Sequence, residues 1–398
     1  MRLPLLLILP IFVLNCLTDW YICTAVWRRV HDHAKFWRRT ALWSSIFFAL
    51  VLVALIVWPK KSSDDATLLG VMWTLYALAS VYLAKIVFVI FDLLARIPQI
   101  FHRKRIRWLT WAGAGLGTLV FCVMAWGLLV ERYRIDVEEL TVERADLPAA
   151  FDGLRIVQLS DIHIGSYGSD TTYIGRVVET VNSLRPDMIV FTGDIVNRHT
   201  SELEPFVGTL ARLEAPMGVY SILGNHDYGD YYQWPTPGDK VENMAQMYYL
   251  QQQAGWRMLN NTTETFYRGT DSLMLIGVEN ISDPPFPTYG SLDDAYPYDL
   301  DDTAFKILLS HNPTHWVNDI AYAPDKNIAL TLSGHTHAMQ FELFGWSPSK
   351  YVYPTWKGLY ADSDSIHLLY VNTGIGEVGI PARIGATPEI TVFTLKKR

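Results

Sequence analysis

Four apolar runs in the first third of the chain constrain it more than any other feature. They cover residues 3–27, 41–58, 68–94 and 108–130, each long enough to cross about 30 Å of hydrocarbon as a helix. Backbone in lipid must satisfy its own hydrogen bonds, so helices are the natural reading. Residues 1–130 are therefore predicted to form an all-α transmembrane bundle that meets the lipid bilayer through four helices, with residues 131–398 as a second domain in water. Charge divides at the same place: residues 1–130 hold 14 Lys/Arg against 5 Asp/Glu, and the remainder holds 19 against 35.

The connector between the first two runs carries Arg28, Arg29, Lys35, Arg38 and Arg39, and that between the last two carries Arg96, Arg103, Lys104, Arg105 and Arg107. The middle connector has Lys60, Lys61, Asp64 and Asp65 and no net charge. Positive-inside bias puts both basic loops in the cytoplasm, so the N-terminus and the polar domain are expected outside the plasma (inner) membrane. The first run is too long for a signal peptide and lacks a small-residue cleavage site, which favours a retained helix. Asp19, Lys85 and Asp92 fall within the runs, where a charge must be paired, hydrated or snorkelling. The two aspartates are expected near the interfaces, with Lys85 snorkelling or contacting a partner helix.

Cys16, Cys23 and Cys122 are all the cysteines of the chain and all lie in the apolar part. The polar domain thus has no disulfide and no thiolate to serve as nucleophile or metal ligand. Its acidic balance also excludes the basic footprint of a backbone-reading nucleic-acid binder, so no nucleic-acid partner is expected.

Within residues 131–398 an alternating opening edge strand is expected at 134–140. Strand-like runs follow at 154–159, 188–191, 219–223, 305–309 and 328–332, with helical candidates at 172–184, 202–213 and 241–255. The alternation is that of a layered α/β fold. Ligands of α/β sheets collect beyond the carboxyl ends of strands. There the five runs deliver Asp161 and His163, Asp194, Asn225 and His226, His311, then His335 and His337. One such histidine is commonplace, whereas five deliveries of oxygen and nitrogen donors point to a shared metal site. The two-residue spacing of Asp161 with His163, and of His335 with His337, puts each pair on one face if the backbone is extended.

The blocks Asp161-Ile162-His163, Gly193-Asp194-Ile195-Val196-Asn197, Gly224-Asn225-His226-Asp227, His311 and Gly334-His335-Thr336-His337, in this order, resemble those of the calcineurin-like metallophosphoesterases. The phrase at 154–161 and the closing Pro388-Glu389-Ile390 look closest to the membrane-anchored branch. Where that branch often has paired glycines, this chain has Ala338-Met339-Gln340. The resemblance implies a four-layer α/β/β/α sandwich of two facing mixed sheets flanked by helices, with the site at one edge. It also implies one metal on Asp161, His163, Asp194 and His337 and another on Asp194, Asn225, His311 and His335, with Asp194 bridging. His226 resembles the family's non-ligand histidine, expected to polarise a phosphoryl oxygen or protonate the leaving group, with Asp227 as its orienter.

The donors mix carboxylate, carboxamide and imidazole, which suits two divalent ions of Mn, Fe or Zn, Mn slightly preferred, better than a calcium cage. The expected reaction is hydrolysis of a phosphodiester or pyrophosphate in a lipid or cell-envelope molecule by a metal-bridging hydroxide. A small-molecule phosphomonoester or nucleotide substrate is the alternative within that class, and an inactive metal-binding membrane sensor or scaffold the alternative outside it. His199, His315 and His367 read as surface or packing residues, and Asn197 as a brace of the Asp194 loop or simple loop stabilisation. The aromatic stretches 228–249 and 289–298 read as loop packing, or as a rim for a lipid tail or sugar.

Overall fold

The computed structural model describes residues 5–26, 34–57, 61–298, 304–323, 326–364 and 366–398. The ends of the first two predicted spans at residues 3, 27 and 58, the charges Arg28, Arg29 and Lys60, and the side chain of Arg38 lie outside the described residues. The chain divides into two compact units, Met1–Leu128 and Leu129–Arg398.

In the first unit, α1 (Leu5–Tyr21) runs on into a π-helical turn at Ile22–Val26. It is followed by α2 (Ala34–Val57), α3 (Asp65–Ile100) and α4 (Arg107–Leu129). Among the described residues, two helices rather than four are long and apolar enough on their own to span a bilayer, Asp65–Ile100 and Arg107–Tyr133. Helix α1 has 17 described residues, and the apolar stretch described within α2 is Leu42–Leu55, after an opening that includes Lys35 and Arg39. The buried charges are paired, as their cost requires. Lys85 Nζ lies 3.0 Å from Asp19, which also accepts from Tyr82 Oη at 2.8 Å. Asp92 accepts from Tyr21 Oη at 2.7 Å, Arg96 Nε at 2.8 Å and Thr110 Oγ1 at 2.9 Å, and pairs with Arg105. Gly117 of α4 faces α3 so closely that a Cβ would come 2.7 Å from Ala84 O, the close approach that small residues give apolar helices.

The second unit holds two six-stranded sheets. The first is built from β1 (Asp136–Arg144), β2 (Arg155–Leu159), β3 (Met188–Phe191), β4 (Val219–Ser221), β5 (Trp256–Met258) and β12 (Glu389–Lys397), in the order β1-β12-β2-β3-β4-β5. The second comprises β6 (Thr262–Arg268), β7 (Asp271–Gly277), β8 (Phe305–Leu309), β9 (Leu330–Ser333), β10 (Gly358–Ala361) and β11 (Leu368–Val371), in the order β10-β11-β9-β8-β7-β6. Strands β2 to β5 are mutually parallel, as are β7, β8, β9 and β11. Their carboxyl ends therefore share one edge within each sheet.

Burial on both faces explains the unbroken apolar runs of these strands. Ile156, Met188 and Val190 of the first sheet pack with Leu275, Ile307 and Leu330 of the second in one inter-sheet core. Val157, Ile189 and Phe191 point the other way, against Ile174, Val177 and Val181 of α5 (Thr172–Ser183). The second sheet is covered by a thinner layer that includes Trp316, Ile320 and Leu292. The architecture is a mixed α/β one, two sheets flanked by helices. The helix expected at 202–213 is instead a 3-10 segment, Thr200–Phe206, running into the four-residue α6 (Val207–Leu210). Pro205 and Gly208 both disfavour a continuous helix there.

Candidate metal centre

Five strands of two sheets supply the site. Asp161 and His163 follow β2, Asp194 follows β3, and Asn225 and His226 follow β4; His311 follows β8, and His335 and His337 follow β9. The first three loops leave one sheet and the last two leave the other, so the site lies along the edge where both sets of carboxyl ends meet. Close approach is built into the loops. At Gly193 (φ 97°) a Cβ would lie 2.8 Å from Gly224 Cα and 2.9 Å from His311 Nδ1.

The paired spacing works differently from the extended arrangement expected. Asp161, His163, Asp194, His335 and His337 all have positive φ, between 45° and 75°, so each pair sits on a tight turn and not on one face of a strand. Five non-glycine residues in this sparsely populated region are the strain that collects at functional sites when surrounding bonds over-determine the backbone. Those bonds are visible: His335 N–H donates to both oxygens of Asp161 at 3.0 Å, and His226 N–H donates to Asp194 Oδ1 at 2.8 Å.

Two groups of donors face inward on either side of Asp194. Asp161, His163 and His337 form one, and Asp194, His311 and His335 form the other; His163, Asp194 and His226 also lie close enough together to share an ion. Asp194 Oδ2 is 3.6 Å from His163 Nε2 and 3.2 Å from His311 Nε2. His311 Nδ1 must donate to Thr192 O, 2.8 Å away, because a carbonyl only accepts. In neutral imidazole its Nε2 then carries a lone pair, facing Asn225 Oδ1 at 3.2 Å and His335 Nδ1 at 3.2 Å. On the other side His163 Nε2 faces His337 Nε2 at 3.0 Å, and Asp161 Oδ1 lies 3.2 Å from His337 Nε2.

A divalent cation could accept these inward-facing nitrogen and oxygen lone pairs together, so the donor sets fit a pair of divalent metal ions. Asn225 suits an oxygen ligand because its Nδ2 is turned away to donate to Tyr231 Oη at 3.0 Å. Arg383 Nη2 comes within 3.3 Å of His337 Nδ1, but its two hydrogens already serve Thr373 O and Gly376 O. That guanidinium therefore braces the His337 ring without fixing its proton.

The electrostatics agree with a cation site. Burial by itself would raise Asp194, yet the adjoining His311 and His226 hold it well below the usual carboxylate range, and His337 does the same for Asp161. Burial pushes His163 well down, and burial with the charge of His311 lowers His335 to about 4, leaving lone pairs available. Burial pushes His311 down, but Asp194, Asp161 and the Thr192 carbonyl together raise it to about 9: a proton there answers the same negative field that a metal would.

His226 is not oriented by Asp227. Its Nδ1 donates to Asn197 O at 2.7 Å, and its ring stacks on Tyr231 with centroids 4.2 Å apart. The Asp227 carboxylate instead accepts four backbone N–H groups, from Asp194 and Ile195 at 2.8 Å, Gly224 at 2.9 Å and Val196 at 3.1 Å. Burial and the charge of Asp194 raise Asp227 to about 7, against the pull of those donors. Asn197 contributes its carbonyl to His226 while its side-chain amide donates to Ser166 Oγ at 2.9 Å.

Tyr353 and Arg383 were not singled out in the sequence, and Tyr231 only as part of the aromatic stretch 228–249. Tyr353 Oη sits 3.1 Å from His335 Nε2. None belongs to a block or carries a spacing signal; only the fold brings them in. His315 and His367 bond Ser310 Oγ and Ile328 O, both at 2.8 Å, in buried packing positions. His199 lines a cavity of about 600 Å³ with Tyr232, Trp234, Asp239, Glu242 and Tyr249. Tyr228, by contrast, is buried and stacked on Tyr289.

Residues 154–339 match the family model described as calcineurin-like phosphoesterase. Residues 1–132 match one described as "Probable Calcineurin-like phosphoesterase, transmembrane domain". The chain is 33% identical over 276 residues to "Uncharacterized metallophosphoesterase YkuE" of Bacillus subtilis, a match covering 67% of this chain and 87% of that protein. It is 32% identical over 269 residues to "Transmembrane protein with metallophosphoesterase domain" of Danio rerio, covering 66% of this chain but only 57% of that relative's length. A more distant match, 27% identical over 282 residues and covering 58% of this chain and 81% of the relative, is "UDP-2,3-diacylglucosamine pyrophosphatase LpxG" of Chlamydia trachomatis. Ordered family blocks that fold into a cation-seeking edge, behind an apolar region with its own family match, make this chain an integral membrane, metal-dependent hydrolase belonging to the calcineurin-like phosphoesterases.

Proposed function

We propose that the enzyme hydrolyses a phosphodiester or pyrophosphate bond in an amphiphilic lipid or cell-envelope substrate. The observation that carries this reading is the pair of donor groups meeting at Asp194, with His226 held beside them by the Asn197 carbonyl. We assign Asp161, His163, Asp194 and His337 to one ion and Asp194, Asn225, His311 and His335 to the other. Mn, Fe and Zn all suit this mixture of four imidazoles, two carboxylates and one amide oxygen, with Mn the first to test. Bound there, the two ions supply water activation and neutralisation of phosphate charge.

The chain's own residues do the rest. With Nδ1 committed to Asn197 O, His226 presents Nε2 to the substrate, and in its protonated form that atom gives its hydrogen to the departing oxygen. Tyr231 stacks on the ring and limits its rotation. Asp227 acts at one remove: by gathering the backbone N–H groups of residues 194–196 it keeps the Asp194 carboxylate aimed between the two donor groups. The four-layer description of the catalytic unit and a boundary near residue 130 belong to the same reading.

The amphiphilic substrate is supported by the membrane region and by the name of the chlamydial relative, a UDP-2,3-diacylglucosamine pyrophosphatase. We further read all four helices α1 to α4 as membrane spans, with both basic connectors cytoplasmic and the catalytic unit extracytoplasmic.

The test is hydrolysis by purified full-length protein loaded with Mn, Fe or Zn, offered a soluble aryl phosphodiester, an aryl phosphomonoester and detergent-dispersed phospholipids or lipid pyrophosphates, with D194N as control. Metal-dependent turnover strongest on the amphiphilic diesters or pyrophosphates is expected. Turnover confined to monoesters refutes the substrate class, and a metal-loaded, folded protein inert on every substrate refutes the catalytic reading.

A further inference from the structure

We propose that the hairpin at residues 341–346 is a membrane-insertion element through which the catalytic unit rests on the bilayer surface. This rests on reading α4 as a membrane span and is independent of the reaction assigned to the site.

The hairpin is unusual for a surface turn. Leu343 and Trp346 form an isolated antiparallel bridge, with Leu343 N–H donating to Trp346 O at 2.8 Å and Trp346 N–H to Leu343 O at 3.0 Å. The two residues between them, Phe344 and Gly345, have φ of 51° and 75°. Such a turn needs positive φ at both positions and normally takes Asn-Gly or Asp-Gly, because a bulky side chain is disfavoured in the left-handed region. Here the first position is phenylalanine, and the residue is 99% exposed. Neither the backbone nor the core of this unit accounts for it.

Phe344 has company. Leu343, Trp346, Val352 and Ile380 are exposed too, and Tyr351 is 74% exposed. Lys350 lies over the rings of Tyr351 and Trp346, with Nζ 5.2 Å and 6.0 Å from their centroids. Apolar side chains mixed with Trp, Tyr and a lysine whose ammonium lies over the rings match the chemistry of a membrane–water interface, where a cation can also meet lipid phosphate.

Two connections say which surface this patch meets. First, the hairpin is tied to the loop at 376–385: Gln340 Nε2 donates to Ile380 O and Ala382 O at 2.6 and 2.8 Å, and Glu342 N–H donates to Ile384 O at 2.8 Å. That loop is held in turn by Arg132, which pairs with Glu377 and donates to Pro381 O at 3.3 Å. Arg132 is three residues beyond Leu129, the last residue of α4, a reach of about 10 Å at most. The patch is thus anchored to the very residues at which the chain leaves its apolar helix.

Second, the segment that forms the hairpin begins at the site. His335 and His337 precede Leu343 by eight and six residues. A hairpin seated among the headgroups holds this edge of the catalytic unit at the depth where a lipid phosphate lies.

The test uses the full-length protein, with Cys16, Cys23 and Cys122 replaced by alanine, in vesicles of phosphatidylcholine with a minority of phosphatidylglycerol. A nitroxide is attached through F344C, and in a separate sample through Y267C on exposed β6. The expected result is that oxygen reaches the label at 344 several-fold better than a water-soluble nickel chelate, with the reverse at 267. Equal access of the chelate to both labels overturns the proposal. Exclusion of both relaxants at 344 with dipolar broadening between labels assigns the patch to a second copy of the chain and also overturns it.

A second variant, F344D, gives an activity readout. It is expected to lower turnover of bilayer-held substrate on the order of tenfold, the cost of withdrawing one large apolar side chain from lipid, while leaving a soluble aryl phosphodiester unaffected. Equal loss on both substrates counts against insertion. Because the nitroxide measurement needs no turnover, failure of the catalytic reading leaves it decisive.

Discussion

Replacing Asp227 by asparagine separates two roles that the sequence alone leaves confused, orienting a catalytic histidine and holding a metal-bearing loop. The carboxylate accepts N–H groups in two pairs, Asp194 and Gly224 on Oδ2, Ile195 and Val196 on Oδ1. Asparagine keeps one oxygen for one pair, without its charge, and turns an NH2 group toward the other. Two buried N–H donors then lack acceptors, at about 1–3 kcal/mol each, and the two surviving bonds fall from charge-assisted to neutral strength. With about 1 kcal/mol lost from each weakened bond the sum is about 4–8 kcal/mol, a large part of the 5–15 kcal/mol by which a domain is usually stable. Because Asp194 lies inside the released segment, the loss should appear first as metal loss.

The assay is metal content by mass spectrometry alongside denaturant unfolding of the full-length protein in detergent, for wild type and D227N. Loss of at least one ion per chain and a clearly lower unfolding midpoint are expected. If D227N keeps both ions and its stability while kcat alone falls, the clamp assignment is wrong and Asp227 acts on His226 after all.

Other outcomes follow from the same geometry. H226A should retain its metal yet lose about 10²–10⁴-fold in kcat on alkyl phosphate esters, and far less on aryl esters whose leaving groups need no proton; equal losses across leaving groups rule out the acid role. Y353F removes the partner of His335 Nε2 and should weaken metal binding about 10–100-fold without changing the fold, as read by competition with a chelating dye. His315 gives a pH signature in stability. Burial pushes it down to about 4 from an ordinary value near 6.5, so the unfolded chain binds the proton better. Its contribution, up to about 3 kcal/mol, is present above pH 6.5 and lost as pH falls toward 4. Comparing unfolding free energies of wild type and H315N across that window should show a shallower slope for the variant, and parallel slopes would refute the assignment.

Much of the site was legible because its donors are short-range features: each sits at the end of an apolar run whose burial on both faces leaves a recognisable signature. Asp161, His163, Asp194, Asn225, His311, His335 and His337 could be named from strand ends and ordered blocks. Strands β3 (Met188–Phe191) and β8 (Phe305–Leu309) were bounded as they occur for the same reason. The strands β5, β6, β7, β10 and β11 were less legible. Some are three or four residues long, and β6 is half-exposed with polar residues along much of its length. Of the four expected spans, α3 and α4 are long and apolar enough by themselves among the described residues, whereas α1 is described over 17 residues and α2 starts in basic residues.

What the sequence determined by itself was chemistry and solvent: which segments avoid water, which donors are present, and that cysteine is absent from the polar half. Tertiary structure decided how side chains remote in sequence divide the work. Asp227 is adjacent to His226 yet turns to backbone N–H groups across the loop, while Asn197, 29 residues away, supplies the carbonyl that holds the imidazole. Tyr353 and Arg383 reach the histidines only because β9, β11 and β12 bring their loops to one edge. Local pattern records what a residue can bond; which partner it meets is set by the packing of two sheets, and that depends on contacts no single stretch of chain contains.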